Sequence, residues 1–249
     1  MYADTDVPYA PGMTTFVLVH GGWHGAWCWE KLIPEIEARG HKAAAMDLPS
    51  DDPEATFETY ADVVAASIRD LPPDGDVVLV GHSLAGQTVP IVAAREPVRR
   101  LVYLCALPAI PGRSLFDQLG TEKMLNLGYV AGLGAADAQG SRGWADKELA
   151  RQFMYADCDD ESAEGAIARL RPQAQTPYSI PCPLDRYPDV PTTSIVCSDD
   201  QLVNPDWSRD FARRTLGSDL IELPGSHSPF VSRPADLASV LDGLVQPGA

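Results

Sequence analysis

Hydrophobic residues along this chain alternate between short unbroken runs and longer stretches with helical spacing. The runs over residues 14–19, 77–80 and 192–197 are rich in valine, isoleucine and threonine, which is typical of strands buried on both faces. Between the first two runs, apolar residues recur at the spacing of an amphipathic helix over residues 57–68. This alternation predicts parallel β-α-β units, with helices packed on both faces of one sheet.

The same pattern predicts six strands and one interruption. The expected strands cover residues 14–19, 41–46, 77–80, 98–106, 192–197 and 220–223. From about residue 107 to residue 188 the alternation stops, and short helical patterns lead into a proline-rich stretch. We therefore predict an α/β fold with a mostly parallel six-stranded sheet, whose core comprises residues 1–106 and 189–249. Residues 107–188 are expected to form a helical insertion, and residues 1–12 a flexible tail.

Composition and charge limit the classes of partner. With 249 residues, of which 45% are hydrophobic and 22% charged, the chain has the composition of a globular protein. A net charge of −16 argues against nucleic acid and anionic membrane surfaces as partners. Five irregularly spaced cysteines indicate no disulfide framework, and neither a signal peptide nor a membrane-spanning apolar run is evident. We therefore expect a reduced cytoplasmic protein, with the oligomeric state open and a homodimer as one option.

A candidate nucleophile lies directly after the run at residues 77–80. There the chain has Gly81-x-Ser83-x-Ala85, a serine flanked by small residues at the junction between a strand and a helical pattern. Small neighbours allow the tight, strained turn that lifts a serine hydroxyl above the edge of a sheet. The alternative is an ordinary turn with an incidental serine, which the preceding buried strand pattern disfavours.

A base and an acid that could activate Ser83 follow later strands. His227 lies in the loop after the last predicted strand, and Asp199 and Asp200 follow the strand at residues 192–197. The carboxyl ends of parallel strands meet at one edge of the sheet, where sites in such folds form. The order serine, acid, histidine is that of serine hydrolases built on sheets of this kind. Either aspartate could instead be a turn residue, and His227 a simple loop histidine.

Two backbone N–H groups could stabilise the oxyanion of an acyl-transfer reaction. One belongs to Leu84, directly after the serine, and the other to Gly22 in the glycine-rich loop after the first strand. The glycines of this loop match neither a dinucleotide fingerprint nor a phosphate loop. His20 and His24 in the same loop lack the helical placement of metal ligands, so no metal or organic cofactor is expected.

Taken together, these motifs resemble the α/β-hydrolase superfamily, and within it the branch of plant methylesterases and hydroxynitrile lyases with their bacterial relatives. The similar segments are residues 20–29, 40–42 with 47–49, 81–86 and 225–227, all within the sheet portion of the chain. The resemblance implies an α/β-hydrolase fold. It also implies a catalytic triad of Ser83, His227 and Asp200, an oxyanion hole at Gly22 and Leu84, and an insertion that caps the active site.

Three details refine what the resemblance implies. Asp200 is preferred over Asp199 because the acid of the family is followed closely by an apolar residue and a proline, as at residues 202–205. The lyases carry threonine where this chain has Gly21 and lysine where it has Ser228, so hydrolysis of an ester is preferred. The alternatives are a lyase or a biosynthetic tailoring enzyme on this fold, and a small-molecule binding protein.

We therefore predict a serine esterase that hydrolyses a small-molecule carboxylic ester through an acyl-enzyme intermediate. Four aromatic residues are candidates for the substrate pocket: Trp23, Trp144, Phe153 and Tyr155. Trp23 lies in the glycine-rich loop, and the other three lie in the insertion, where they could line an apolar pocket. Packing within the insertion is the alternative explanation for each of those three.

Overall fold

The computed structural model describes residues 13–72 and 76–246, and its centre is one six-stranded sheet. The strands are β1 (Thr14–Val19), β2 (Lys42–Ala45), β3 (Asp76–His82), β4 (Arg100–Leu104), β5 (Thr192–Cys197) and β6 (Asp219–Leu223). Every adjacent pair runs parallel, in the order β2-β1-β3-β4-β5-β6. The prediction of six strands in an α/β fold is confirmed, while the tail expected at residues 1–12 lies outside the described residues.

The strand order places two loops next to each other at the carboxyl edge of the sheet. Because β1 lies between β2 and β3, the chain reverses its direction of travel across the sheet after β2. Val19, the last residue of β1, pairs with Gly81 near the end of β3. The loop after β1 and the turn after β3 therefore leave the sheet side by side, at the kind of crevice where ligands bind in parallel sheets.

Helices cover both faces of the sheet. They are α1 (Leu32–Glu37), α2 (Phe57–Arg69), α3 (Val89–Ala93), α4 (Leu115–Thr121), α5 (Lys147–Met154), α6 (Asp160–Ile167), α7 (Pro205–Phe211), α8 (Pro229–Ser232) and α9 (Pro234–Gly243). Short 3₁₀ turns lie at Ala26–Trp29, Ser83–Gln87, Leu127–Gly132 and Thr176–Ser179, and a π turn lies at Ala212–Leu216. No helix in the described ranges is long and apolar enough to cross a membrane.

Strand β1 shows why the apolar runs of the sequence are unbroken. Successive side chains of a strand point to opposite faces of the sheet. Phe16 and Leu18 belong to one hydrophobic core cluster, while Val17 and Val19 belong to the other. All four side chains are fully buried, so neither face of the strand has a position that a polar residue could occupy without a cost in desolvation.

The segment over residues 107–188 contains three short helices, each with a defined start. The side chains of Ser114, Asp146 and Asp159 accept backbone N–H groups in the first turns of α4, α5 and α6. Such caps satisfy donors that a helix leaves unpaired at its beginning. An antiparallel bridge between Leu125 and Val203 joins the segment to the chain after β5. The division into core and insertion stays a prediction.

The fourth strand is shorter than the apolar pattern suggests. The sequence predicts residues 98–106, whereas β4 covers Arg100–Leu104. Cys105 has a φ of 45°, in the left-handed region, and this turns the chain away from the strand ladder. The apolar residues beyond it stay buried without being strand residues, which is why hydrophobicity alone extends the prediction too far.

Candidate active site

Ser83 occupies a strained turn at the carboxyl end of β3. Its φ of 51° lies in the left-handed region, which is unfavourable for serine unless the surroundings impose it. The turn also needs small neighbours. A Cβ on Gly81 would lie 2.7 Å from the Val89 side chain, and one on Gly86 would lie 2.6 Å from the Leu107 carbonyl oxygen. The local geometry is that of the tight strand-to-helix turn that the sequence predicts.

The chain after β4 holds this turn in place. The Leu107 N–H donates to the Ser83 carbonyl at 2.9 Å, and the Gln87 side-chain amide donates to the Leu107 carbonyl at 2.8 Å. All three residues are buried, so breaking either bond would leave a polar group without water as a substitute. The strained serine is therefore fixed by hydrogen bonds on its carbonyl side.

His227 and Asp200 form a buried pair at the same edge of the sheet. The His227 Nδ1 and Asp200 Oδ2 atoms are 2.8 Å apart, and both side chains are almost fully buried. The other oxygen of Asp200 accepts the N–H groups of Leu202 and Val203 at 2.8 and 2.9 Å. Because an ionised carboxylate only accepts hydrogen bonds, the proton of this pair lies on His227 Nδ1.

The neighbouring Asp199 contacts a different set of groups. Its carboxylate accepts the Gly225 N–H at 3.0 Å and the Ser198 hydroxyl at 2.9 Å, and the residue is exposed. These hydrogen bonds, that of Gly225 first, lower the pKa of Asp199. Of the two aspartates that the sequence leaves as candidates, Asp200 contacts His227 and Asp199 stabilises the turn after β5.

The ring of His227 lies beside the residue that precedes Ser83. Its centroid is 4.6 Å from that of His82, and the His82 Nε2–H donates to the His227 carbonyl at 2.9 Å. Burial, followed by the charges of His227 and His24, lowers the pKa of His82 well below its ordinary value. The Nε2 atom of His227 is buried and has no hydrogen-bond partner within residues 13–72 and 76–246, so it is free to accept a proton.

The Gly22 and Leu84 N–H groups donate to no described residue, and His20 orients the first of them. The Nδ1–H of His20 donates to the Gly21 carbonyl at 2.9 Å, and its Nε2 accepts the Leu48 N–H at 3.0 Å. The Gly21 carbonyl and the Gly22 N–H belong to the same planar peptide, and because this peptide is trans they point in opposite directions. The hydrogen bond that fixes the Gly21 carbonyl therefore also fixes the direction of the Gly22 N–H. Burial lowers the pKa of His20 to about 4, which keeps the ring in the neutral form that this pattern requires.

An apolar cavity adjoins Ser83. The cavity volume is about 30 Å³, within about 380 Å³ of atom-free space between the walls that is partly open to solvent. Its walls come from residues within the segment 107–188 and from residues before and after it: Gly22, Trp23, Ser83, Leu84, Leu107, Leu115, Leu119, Leu125, Tyr129, Tyr178 and Leu202. None of these side chains is a carboxylate or a basic group. Burial raises the pKa of Tyr129 and of Tyr178, so both phenols are neutral. The cavity is suited to an uncharged, largely apolar group.

Three of the four predicted pocket aromatics lie behind the wall of this cavity. Trp23 lines it, but Trp144, Phe153 and Tyr155 do not. Trp144 packs edge-on against Trp23 and stacks on Phe153, while Tyr155 is fully buried with its hydroxyl 2.7 Å from His24 Nε2. The expectation that these three line the pocket therefore differs from the structure, because they form the second layer that supports Trp23 and the loop around it.

The lining residues that the sequence did not predict lie mainly within residues 107–188. Leu115 and Leu119 have helical spacing in α4, which indicates an apolar face but not what it contacts. Tyr129 and Tyr178 carry no local signal, because their position depends on how the insertion packs over the sheet. His82 was not predicted to support His227, although its place beside the serine could have suggested a role.

His20 and His24 are engaged in hydrogen bonds that leave them poorly placed to bind a metal. Both ring nitrogens of His20 and of His24 have partners from the protein. Within the described residues, no group of three or more histidine, cysteine, aspartate or glutamate side chains could hold a metal ion. The chemistry available here is that of a hydroxyl, an imidazole, a carboxylate and backbone N–H groups.

Comparison with known proteins places this geometry in context. A sequence model of the Alpha/beta hydrolase family matches residues 16–240. Methylesterase 2 of Arabidopsis thaliana is 26% identical over 247 residues, covering 91% of this chain and 94% of its own. Polyneuridine aldehyde esterase of Rauvolfia serpentina is also 26% identical over 247 residues, covering 91% of this chain and 93% of its own. The match with the family thus extends over nearly all of the sheet and over the whole of residues 107–188.

Solved structures share the same architecture. A pyrethroid hydrolase from Sphingobium faniae superposes with a TM-score of 0.79 at 24% identity, covering 94% of this chain and 97% of its own. A methylesterase from Arabidopsis superposes with a TM-score of 0.76 at 25% identity, covering 94% of this chain and 99% of its own. The likeness includes the segment over residues 107–188, since the coverage leaves out only a small part of either chain.

Proposed function

Because the chain belongs to the alpha/beta hydrolase family and its curated relatives are esterases, it is an ester hydrolase, and we propose that Ser83, His227 and Asp200 carry out the cleavage. The observation that supports this assignment most strongly is the buried His227–Asp200 pair. It leaves the second imidazole nitrogen without a partner, in a ring that packs on His82, the residue directly before the strained Ser83. A histidine oriented in this way can act as a general base toward a hydroxyl.

The first half of the proposed reaction acylates Ser83. Its hydroxyl oxygen attacks the carbonyl carbon of the ester while His227 Nε2 takes the hydroxyl proton. The imidazolium that forms is stabilised by Asp200, 2.8 Å from the opposite ring nitrogen. When the tetrahedral intermediate collapses, His227 returns the proton to the alkoxide, and the alcohol leaves the acyl-enzyme.

We assign the oxyanion hole to the N–H groups of Gly22 and Leu84. Both belong to residues that border the cavity next to Ser83, and neither N–H has a partner among the described residues. Donors that are already oriented stabilise the charge of the intermediate without reorganising during the reaction, and one such donor is typically worth about 10²–10³ in kcat. His20 contributes by fixing the peptide that carries the Gly22 N–H.

The second half of the reaction releases the acid. Water enters the site, His227 removes its proton, and the resulting hydroxide attacks the acyl carbon. The same two N–H groups hold the oxyanion, and Ser83 then leaves as its hydroxyl. Every proton in this cycle passes through His227 Nε2, and no other general base is required.

The cavity supports an uncharged ester with an apolar acyl or alcohol group as the substrate class. Six of its lining side chains are leucines, and a carboxylate placed among them would lose its hydration without gaining a cation. Several of these residues, Leu115 and Tyr178 among them, come from residues 107–188, so we also propose that this insertion caps the active site. Specificity should then depend on the insertion more than on the sheet.

We further propose that the protein works in the cytoplasm without a nucleic acid partner. All five cysteines are free thiols, which supports a reducing compartment. The net charge of −16 would repel a polyanion.

Replacing the nucleophile tests the proposed function. Ser83→Ala should abolish hydrolysis of p-nitrophenyl acetate and labelling by a fluorophosphonate probe, while leaving the circular dichroism spectrum and the thermal midpoint close to those of the wild type. Turnover equal to that of the wild type would exclude Ser83 as the nucleophile. A lyase that used the same residues would instead form product without incorporating ¹⁸O from labelled water.

A further inference from the structure

The oxyanion loop contains a second strained residue, directly after Gly22. Trp23 has a φ of 64°, in the left-handed region that bulky residues rarely adopt. Such a conformation is unfavourable and persists where surrounding contacts impose it. The peptide that precedes Trp23 carries the Gly22 carbonyl, so whatever holds Trp23 also restricts the backbone of Gly22.

Hydrogen bonds from the insertion hold Trp23 on two sides. The Arg171 N–H donates to the Trp23 carbonyl at 2.7 Å, and the Trp23 indole N–H donates to the Arg142 carbonyl at 3.0 Å. The Arg171 guanidinium adds a bond from its Nε to the carbonyl of His24 at 3.2 Å. Two separate segments of the insertion thus contact the loop that carries a proposed oxyanion donor.

His24 links this loop to a third segment of the insertion. Its Nδ1 is 3.1 Å from the Gly22 carbonyl, and since a carbonyl only accepts, Nδ1 carries the hydrogen. Burial lowers the pKa of His24 to about 3, so the ring is neutral and its Nε2 must act as an acceptor. The Tyr155 hydroxyl lies 2.7 Å from that Nε2 and therefore donates to it.

The direction of both hydrogen bonds is thus determined, from Tyr155 to His24 and from His24 to Gly22. Tyr155 and His24 are fully buried, so water cannot replace either bond. Tyr155 directly follows α5, which ends at Met154 and packs on α6 within the insertion. The ring of His24 also contacts His82 and Phe230, which keeps it from rotating away.

We propose that Tyr155 is a positioning residue for the oxyanion hole, acting through His24 on the Gly22 carbonyl. The inference rests on the function proposed above, and it gives the insertion a second task besides covering the substrate. Tyr155 fixes the imidazole, the imidazole fixes the peptide plane after Gly22, and that plane limits the direction of the Gly22 N–H. Removing the Tyr155 hydroxyl should therefore weaken binding of the transition state more than binding of the substrate.

Tyr155→Phe deletes the hydroxyl and keeps the ring. We expect kcat for p-nitrophenyl butyrate to fall about 10-fold, less than the loss for deleting an oxyanion donor outright, with KM changed less than two-fold. The affinity for butaneboronic acid, whose tetrahedral adduct places an oxygen in the oxyanion hole, should fall by a similar factor. Tyr103→Phe is the matched control, because the Tyr103 hydroxyl is also buried but has no hydrogen-bond partner among the described residues.

A double-mutant cycle tests whether Tyr155 acts through His24. Asparagine at position 24 can still donate to the Gly22 carbonyl, but its shorter side chain cannot reach the Tyr155 hydroxyl. Tyr155→Phe should therefore have no further effect on kcat in a His24→Asn background. Unfolding midpoints of all variants separate loss of positioning from loss of folded protein, and if His24→Asn does not fold, the single variant and its control remain decisive.

Three results would overturn the inference. One is a Tyr155→Phe enzyme with the kcat and boronic acid affinity of the Tyr103→Phe control. Another is a loss that is confined to KM. The third is a double variant, Tyr155→Phe with His24→Asn, whose loss in kcat equals the product of the two single losses. The proposed function fails separately: if Ser83→Ala keeps its activity, the nucleophile is wrong, whereas an inactive Ser83→Ala with a fully active Tyr155→Phe refutes only the role of Tyr155.

Discussion

Replacing Asp200 by asparagine tests the proposed triad at the point where the sequence leaves two candidates. Asparagine has nearly the same shape and keeps an oxygen to accept the Leu202 and Val203 N–H groups. Its amide NH₂ would then face His227 Nδ1, where the carboxylate oxygen now lies at 2.8 Å. The fold should therefore survive, while the charge and the proton position of the pair change.

Two physical effects set the size of the expected loss. The first is electrostatic: for charge centres about 4 Å apart and an effective dielectric constant near 20, a carboxylate stabilises an imidazolium by about 4 kcal/mol, which is roughly 10³-fold in rate. The second is the tautomer, since an amide donor opposite Nδ1 drives the proton of His227 to Nε2, where it blocks proton transfer from Ser83. The same substitution in a serine protease triad lowers kcat about 10⁴-fold, and we expect a loss of about 10³–10⁴ here.

The assay compares Asp200→Asn with Asp199→Asn under identical conditions. Asp199 is adjacent and exposed, and it accepts the Gly225 N–H without contacting His227. Steady-state hydrolysis of p-nitrophenyl butyrate should show kcat within about two-fold of the wild type for Asp199→Asn, because an exposed residue away from the reacting groups contributes little. Circular dichroism and urea unfolding of both variants confirm that folded enzyme is being compared.

Two outcomes would refute this reasoning. If Asp200→Asn kept more than about a tenth of the wild-type kcat, the carboxylate could not be the group that stabilises the imidazolium. If Asp199→Asn lost as much activity as Asp200→Asn, the distinction between the two aspartates would be wrong.

Three further predictions follow from the packing and the electrostatics of the site. Gly21→Thr should lower kcat and also lower the free energy of unfolding by about 1–3 kcal/mol, measured in urea titrations. The reason is a clash, because a Cβ at this position would lie 2.8 Å from both His82 Nδ1 and the Ser83 Cβ. Full activity in this variant would contradict the predicted clash. Lowering the pH from 7.5 to 5 should reduce the free energy of unfolding by about 4 kcal/mol through His20 and His24, since the folded protein holds the pKa of His20 at about 4 and that of His24 at about 3, well below the 6.5 of an unfolded histidine. His82, whose pKa is also lowered by burial, adds to this loss. This contribution is fully present above pH 6.5 and is lost as the pH falls toward 4, and His20→Asn should make the loss between pH 7.5 and 5 smaller by about 2 kcal/mol. An unchanged pH dependence would argue against a buried neutral ring at His20. Leu119→Glu places a carboxylate in the apolar cavity. It should reduce kcat/KM at least ten-fold for p-nitrophenyl butyrate and less for p-nitrophenyl acetate. Equal losses for the two esters would exclude the cavity as the binding site of the butyryl chain.

The architecture could be predicted from the sequence because each buried strand carries its own signal. Thr14–Val19 and Thr192–Cys197 have the bounds that their apolar runs predict, since both faces of these strands are covered by helices. The topology then allows residues that are far apart in sequence to be assigned to one edge. The other strands differ from their apolar runs by one or two residues at an end, and the fourth strand ends early because of the left-handed backbone of Cys105, which hydrophobicity does not encode.

The site was predictable only where a local motif marks it. The turn around Ser83 depends on neighbours two or three positions away, and these are visible in the sequence. The contact between Tyr155 and His24 joins residues 131 positions apart, and no local pattern connects a phenol in the insertion with the glycine-rich loop. Tyr155 was therefore predicted as a pocket residue, and its hydrogen bond emerged only from the packing of the insertion on the core.

The central claim is that Ser83 becomes acylated during turnover, and trapping the acyl-enzyme tests it most directly. The wild-type enzyme would be mixed with p-nitrophenyl butyrate, quenched with acid within milliseconds, digested and analysed by mass spectrometry. We predict a butyryl group on the peptide that carries Ser83, formed at a rate no slower than turnover and absent from Ser83→Ala. A butyryl group on another residue, or hydrolysis at the full rate with no acylated peptide, would contradict the account.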